Sequence, residues 1–269
     1  MNSSRKPDPL TTKSYWDATY ETREALAPVD PHGAHARVTQ EILCIKKRIG
    51  LDEKRVLEIG GGGSAWLAFL AKAHPSSEFT CLDYSEVGVE SLRHYAHENE
   101  LNNLKFKNSD MFQPPLEYER YDIVFSHGVV EHFPDLSGVL IAHARYLSDD
   151  GILLSIIPNM AGILGLLTKI FNRTVYNIHV PHDLKAFRQG HSDAELEIIE
   201  SGYLCSSNFG VLSSCFKRKE GWKWATYKFL SRVSKAVWIF ENSVASLPTS
   251  RTFSPYIYVA AKHRPIVSK

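Results

Sequence analysis

VLEIGGGGSAWLAFLAK, Val56 to Lys72, is the stretch that decides the fold. Val56 to Ile59 is a short apolar run of the kind a buried strand shows, interrupted by one acid, Glu58. Gly60, Gly61, Gly62 and Gly63 form a loop without side chains, and Ser64 to Lys72 reads as a helix. Ser64 is a good N-cap, because its hydroxyl can accept an orphan N–H of the first turn. Strand, glycine loop and helix start together build a ligand cradle. Glycine lets the backbone approach the ligand, and the helix N-terminus supplies free N–H donors. Glu58, two residues before the first glycine, sets the sign of the ligand's charge. It repels a pyrophosphate and attracts an ammonium and a sulfonium.

Outward from that stretch the pattern alternates. Strands are expected at Glu78–Asp83, Leu104–Asn108, Tyr121–Ser126 and Gly151–Ile157, with helices between them from Ser85 to Glu100 and from Leu136 to Leu147. Strands separated by helices predict an α/β protein with a parallel sheet covered on both faces. After Pro158 the rhythm changes. An apolar helix over Met160–Phe171, a His- and Asn-rich loop to Gly190, a helix from Ser192 to Ser201, a strand over Leu204–Leu212, a long helix from Gly221 to Val244 and a last strand over Pro255–Lys262 are expected. Ahead of the alternation, Tyr15, Trp16 and Tyr20 form an aromatic stripe at helical spacing, and Val38, Ile42 and Ile45 one face of a second helix. The organisation read from this is a helical lid at residues 1–50, then one domain over 51–269 with helical insertions at about 160–190 and 217–246.

A formal net charge of +1 gives no global field for nucleic acid, so no such partner is expected. Four cysteines without CxxC spacing read as reduced thiols of a cytoplasmic protein. No apolar run approaches the roughly 18 residues of a membrane span, and MNSSRKPDPL lacks the apolar core of a signal peptide.

Three acids fall at consecutive strand ends. Ligands of open α/β sheets sit beyond the carboxyl ends of the strands. Glu58 is placed to take an α-amino group, Asp83 a pair of ribose hydroxyls, and Asp110 an adenine amino group with Met111 against the ring. That set points to S-adenosylmethionine. A nicotinamide cofactor stays open as an alternative, since Gly60, Gly62 and Ala65 also fit GxGxxA and Asp83 fits the ribose acid. Glu58 and Asp110 argue against it. No GxxxxGK[ST] is present, which excludes a phosphate-loop NTPase.

VLEIGGGGS resembles the first motif of class I S-adenosylmethionine-dependent methyltransferases, with Ser64 in place of its third glycine. CLDYS, NSDMF and YDIVFSHGVVEHF resemble the second, third and fourth motifs. The resemblance implies a Rossmann-like class I fold with a seven-stranded, mostly parallel sheet, helices on both faces, an N-terminal helical lid and a C-terminal helical insertion. Tyr84 and Phe112, inside the second and third motifs, are expected as further cofactor contacts, and Ser126 and the His127 carbonyl are expected there because they end the fourth strand; Trp16 and Tyr20 either pin their helix to the domain or reach the ligand as a lid. GVVEHF, IPN and PHDLKAFRQGHSDAELEIIESGY are similar to the ubiquinone-biosynthesis O-methyltransferase branch. There a glutamate three residues before the Glu-His pair helps hold a divalent metal. Gly128 stands at that position, so no metal site is expected. Acceptor-site groups are expected from the loop after the fourth strand and the segment after the fifth, where His127, His179, His182 and His191 are further candidates; by the same resemblance His132 is the expected base, oriented by Glu131.

The expected reaction is methyl transfer to a small molecule, at a hydroxyl or carboxyl oxygen of a quinone-like or secondary metabolite. Nitrogen acceptors and a cofactor-binding module without catalysis stay open. From Phe216 to Ala236 there are seven basic residues and one acid. The helix there is expected to pack through Leu230, Val233, Val237, Phe240 and Val244, with a substrate lid, a dimer contact or a peripheral membrane contact through 221–244 as its sharper readings. A hydrophobic acceptor suits the last of these. The oligomeric state is not legible.

Overall fold

The computed structural model describes residues 6–22, 26–33, 36–114 and 118–265. One sheet of seven strands runs through it: β1 Arg55–Ile59, β2 Glu78–Asp83, β3 Leu104–Asn108, β4 Tyr121–His127, β5 Leu147–Pro158, β6 Leu196–Leu204 and β7 Tyr256–His263. Their order is β3-β2-β1-β4-β5-β7-β6. The first five are parallel, and β7 is antiparallel to both of its neighbours. The chain leaves β1 toward β2 and β3, then returns to lay β4 on the other side of β1. The crevice between the diverging crossovers lies at the carboxyl ends of β1 and β4.

Period-two alternation feeds a core on each face. Val56, Phe79, Ile123 and Phe125 pack on one side with Leu67 and Leu70 of α3 (Ala65–Ala73) and Leu92 of α4 (Glu86–Glu98). Leu57, Leu82, Val124 and Ile257 pack on the other with Leu140 of α5 (Leu136–Ala144) and Phe187 of α8 (Leu184–Asp193). The N-caps form as the side chains dictate. Ser64 Oγ accepts Leu67 N–H at 3.1 Å, and Ser85 Oγ accepts Gly88 N–H at 3.2 Å.

The two helices within residues 1–50 pack differently. The helix α1 (Lys13–Glu21) buries no residue, whereas α2 (Arg37–Ile49) delivers Ile42 and Ile45 to the main core. Two expectations are corrected. The helix and strand after the insertion lie earlier than expected, at α8 and β6. Asp183 accepts Ala186 N–H at 2.8 Å and starts α8, and Glu195, with φ of 61°, turns the chain into β6. A register shift between Ile198 and Glu200 breaks the two-residue alternation and hid this strand. The second correction concerns α9 (Gly221–Ser243). Its buried residues are Ser234, Trp238 and Glu241, while Val233, Phe240 and Val244 of the expected packing stripe are exposed.

Candidate active site

The carboxyl ends of β1, β2 and β4 open on one cavity of about 850 Å³, roofed by Trp16 and Tyr20 of α1. The cofactor end is built on the glycine loop. Asp83, 4% exposed, accepts Gly62 N–H at 2.9 Å and Tyr20 O–H at 3.3 Å on Oδ2, and Ser85 N–H at 2.8 Å on Oδ1. Burial pushes its pKa up, and those three donors oppose the rise. A Cβ on Gly62 would lie 2.7 Å from Asp83 Oδ2 and 3.0 Å from the Tyr20 ring, so only glycine leaves this cradle open. Gly88 on α4 is a residue that motif reading missed. A Cβ there would come within 2.6 Å of the Tyr20 ring, so this glycine seats the roof. Its signal in the sequence is a glycine inside a helix start.

Asp110 accepts Phe112 N–H at 3.0 Å and Lys6 Nζ at 2.5 Å. Met111, Phe112 and Tyr84 line the same end, with Phe112 edge-on to Phe133 at 5.5 Å. Burial beside Asp83 pushes the Tyr84 phenol up to about 12. Gly60 lines the cavity, whereas Gly61 does not and faces Cys81 and Glu58. Ser126 is 1% exposed inside β4, away from the cavity wall.

Glu58 lines the cavity at 3% exposure, and its Oε2 has no hydrogen-bond partner among the described residues. An unpaired buried carboxylate oxygen is costly, and a ligand ammonium would satisfy it. Burial raises the Glu58 pKa, opposed chiefly by the nearby positive charge of Lys46. Lys46, on α2, is 2% exposed, and its ammonium sits 3.3 Å from the centroid of the Phe125 ring. Sequence reading missed it. The available signal was a lysine four residues after Ile42, on the buried face of its helix. The cradle, the orphaned acid and the rim acids fit S-adenosylmethionine.

Histidines dominate the opposite end. His132, 4% exposed, lines the cavity, and its Nδ1 is 2.6 Å from Ile178 O. A carbonyl can only accept, so Nδ1 carries the proton and Nε2 keeps a lone pair. Burial and the neighbouring His179 lower the His132 pKa to about 4. Trp16 meets the His132 ring edge-on at 5.3 Å. Orientation of His132 by Glu131 is corrected: the Ile178 carbonyl orients it. Glu131 is 1% exposed and has Oε2 without a partner among the described residues. Burial raises its pKa to about 8, so the carboxyl is neutral at pH 7. His179 lies against His132 with ring centroids 4.7 Å apart, and its Nδ1 meets Val175 O at 2.7 Å. His127 lines the cavity, kept neutral by burial and by Lys46. The His182 ring stands outside the lining, with Nε2 buried and unpartnered among the described residues.

Glu131, His132 and His179 hold donor atoms within 4.8 Å of one another, the one set among the described residues with metal-ligand chemistry.

A family described as a methyltransferase domain matches residues 51–194, which spans β1 to α8. The chain is 25% identical over 130 residues to EEF1A lysine methyltransferase 2 of Danio rerio, covering 46% of this chain and 55% of that one. It is 28% identical over 88 residues to methyltransferase str2 of Strobilurus tenacellus, covering 32% of this chain and 29% of that one. The chain thus spans about half or less of the length of these curated relatives. Among solved structures, geranyl diphosphate C-methyltransferase of Streptomyces coelicolor, in complex with Mg2+, geranyl-S-thiolodiphosphate and S-adenosyl-L-homocysteine, superposes with a TM-score of 0.61 at 11% identity, covering 96% of this chain and 100% of that one. That likeness is one of fold. The chain belongs to the methyltransferase-domain family, with the class I fold that takes S-adenosylmethionine as cofactor.

Proposed function

We propose that this protein methylates an oxygen of a hydrophobic small molecule, with His132 taking the acceptor's proton. The observation that carries this reading is the pinned His132 ring. It keeps Nε2 as a lone-pair acceptor in the same cavity as Glu58, Gly60 and Asp83. Bound S-adenosylmethionine supplies an electrophilic methyl group, and the protein's part is positioning and proton removal. Glu58 takes the ammonium, Asp83 the ribose hydroxyls, and Asp110, once Lys6 withdraws, the adenine amino group. Met111 and Phe112 flank the ring. Trp16 and Tyr20 close over the site and exclude water.

A base whose pKa lies near 4 is unprotonated at pH 7 but weak. It matches an acceptor whose own proton is acidic, so a phenol or an enol is favoured over an alcohol. We place the reaction in the cytoplasm, where four free thiols persist.

The test incubates the protein with methyl-labelled cofactor and fractionated organic extracts, then characterises the labelled product. An O-methyl ether made by the wild type and not by His132→Ala supports the reading; an ester made equally by both would take the base role from His132. Label on nitrogen or carbon overturns the acceptor assignment. Binding of S-adenosylhomocysteine with no labelled product from any fraction would leave a cofactor-binding module.

A further inference from the structure

Of the large apolar side chains on α9, several point outward. Trp222, Phe229, Val233, Phe240 and Val244 are separated by seven, four, seven and four residues, so they fall on one side of the helix. Trp222 is 67% exposed, Phe229 64% and Val244 69%. The opposite side holds the helix to the domain: Trp238 Nε1 donates to Ser207 O at 2.8 Å, and Ser206 Oγ to Glu241 at 2.9 Å. Next to the apolar stripe, exposed Lys228, Arg232 and Lys235 form a basic one. The N-terminal end of α9 reaches two other features. Lys223 Nζ donates to Ile170 O and Phe171 O at 2.9 and 3.1 Å, which abuts α9 on α6 (Ile163–Phe171), where Leu166 and Ile170 are also exposed. Two residues ahead of α9, Lys219 lines the catalytic cavity.

We propose that α9 lies in the plane of an anionic membrane surface and that the cavity draws an amphiphilic acceptor from that surface. No helix among the described residues is long and apolar enough to cross a membrane. A helix with one apolar stripe and one basic stripe is suited instead to the lipid interface, apolar side in the acyl boundary and cations on the headgroups. Between Phe216 and Ala236 only Glu220 opposes seven cations, which selects anionic lipid over the mixed charge of a typical protein surface. The position of Lys219 ties this surface to the cavity mouth. A molecule with its polar head among the headgroups enters that mouth without leaving the lipid. The acceptor half of the proposal rests on the methyl-transfer reading, and the membrane half does not.

The test is flotation with phosphatidylcholine vesicles, with and without phosphatidylglycerol. One variant carries Lys228→Glu, Arg232→Glu and Lys235→Glu; a second carries Phe229→Ser, Val233→Ser and Phe240→Ser. The wild type should float with the anionic vesicles, less so as salt rises, and each variant should partition at least about tenfold less. Both should keep wild-type affinity for S-adenosylhomocysteine. The charge variant changes only exposed side chains, so it decides the matter if the apolar variant fails to fold. Flotation with neither vesicle, equal flotation with both, or a wild-type dimer that the apolar variant dissociates would overturn the proposal; the dimer would mean that a second copy covers the stripe. Loss of S-adenosylhomocysteine binding in the wild type would remove the methyl-transfer reading and leave the flotation result standing.

Discussion

The two ends of the cavity are built on different physics. The cofactor end is backbone: a glycine loop, a helix start and acids at strand tips, each fixed by the strand that carries it. The proposed acceptor end is assembled from segments distant in sequence: α1, the turn at Val130–His132, and the loop carrying Ile178 and His179. Burial disfavours charge at both ends, raising carboxyls, Glu131 included, and lowering imidazoles. It raises Glu58 and Asp83, and it lowers His132 and His179. The lesson is that strand ends and the glycine loop fix one end of the cavity locally, while the chemistry proposed for the other end depends on tertiary placement of inserted chain.

The sharpest break between the ends is expected from His132→Ala. Turnover should fall by about a hundredfold or more, with S-adenosylhomocysteine affinity within about threefold of wild type. Calorimetry beside steady-state rates checks this, and an equal loss in both would join the two ends into one. Asp83→Ala should do the reverse, weakening cofactor affinity by about 1–3 kcal/mol through unpaired ribose hydroxyls. Unchanged affinity would take Asp83 out of the site.

Acidification should separate the ends without mutation. The Glu58 pKa is raised, so its carboxylate is lost early as pH falls, and with it the charge that takes the ammonium. His132 stays neutral down to about pH 4. Cofactor affinity should therefore fall several-fold from pH 8 to pH 5, roughly, while turnover at saturating cofactor holds. A turnover loss that precedes the affinity loss would reverse this assignment. The smallest effect is expected from Lys46→Met. Without the cation Glu58 protonates more readily, so the midpoint of the affinity profile should move to higher pH. A shift to lower pH would contradict the pairing.

What was legible in the sequence follows the same division. VLEIGGGGS, CLDYS and NSDMF specify backbone and strand-end chemistry within a few residues, and Glu58, Asp83 and Asp110 all reach the cavity. Lys46 was not legible from its own motif, because its role comes from its ammonium reaching Phe125 of β4 and acting on Glu58 of β1. The Ile178 carbonyl that orients His132 has no side-chain signature at all, which is why Glu131, adjacent in sequence, was expected to do that work. Ser126 and His182 were expected at the site from adjacency to motifs, but strand pleat buries the first and the turn before Asp183 keeps the second outside the lining. On α9 the apolar residues were visible, but which side of the helix faces the domain depends on Ser206 and Ser207, far away in sequence.

A crystal structure with S-adenosylhomocysteine tests the central claim, that one cavity holds the donor on acidic strand tips and the acceptor before His132. The account predicts ribose hydroxyls on Asp83, the amino group on the Glu58 side, and the sulfur facing the space in front of His132 Nε2. Adenosine lodged at the histidine end, or a sulfur directed away from His132, would contradict it.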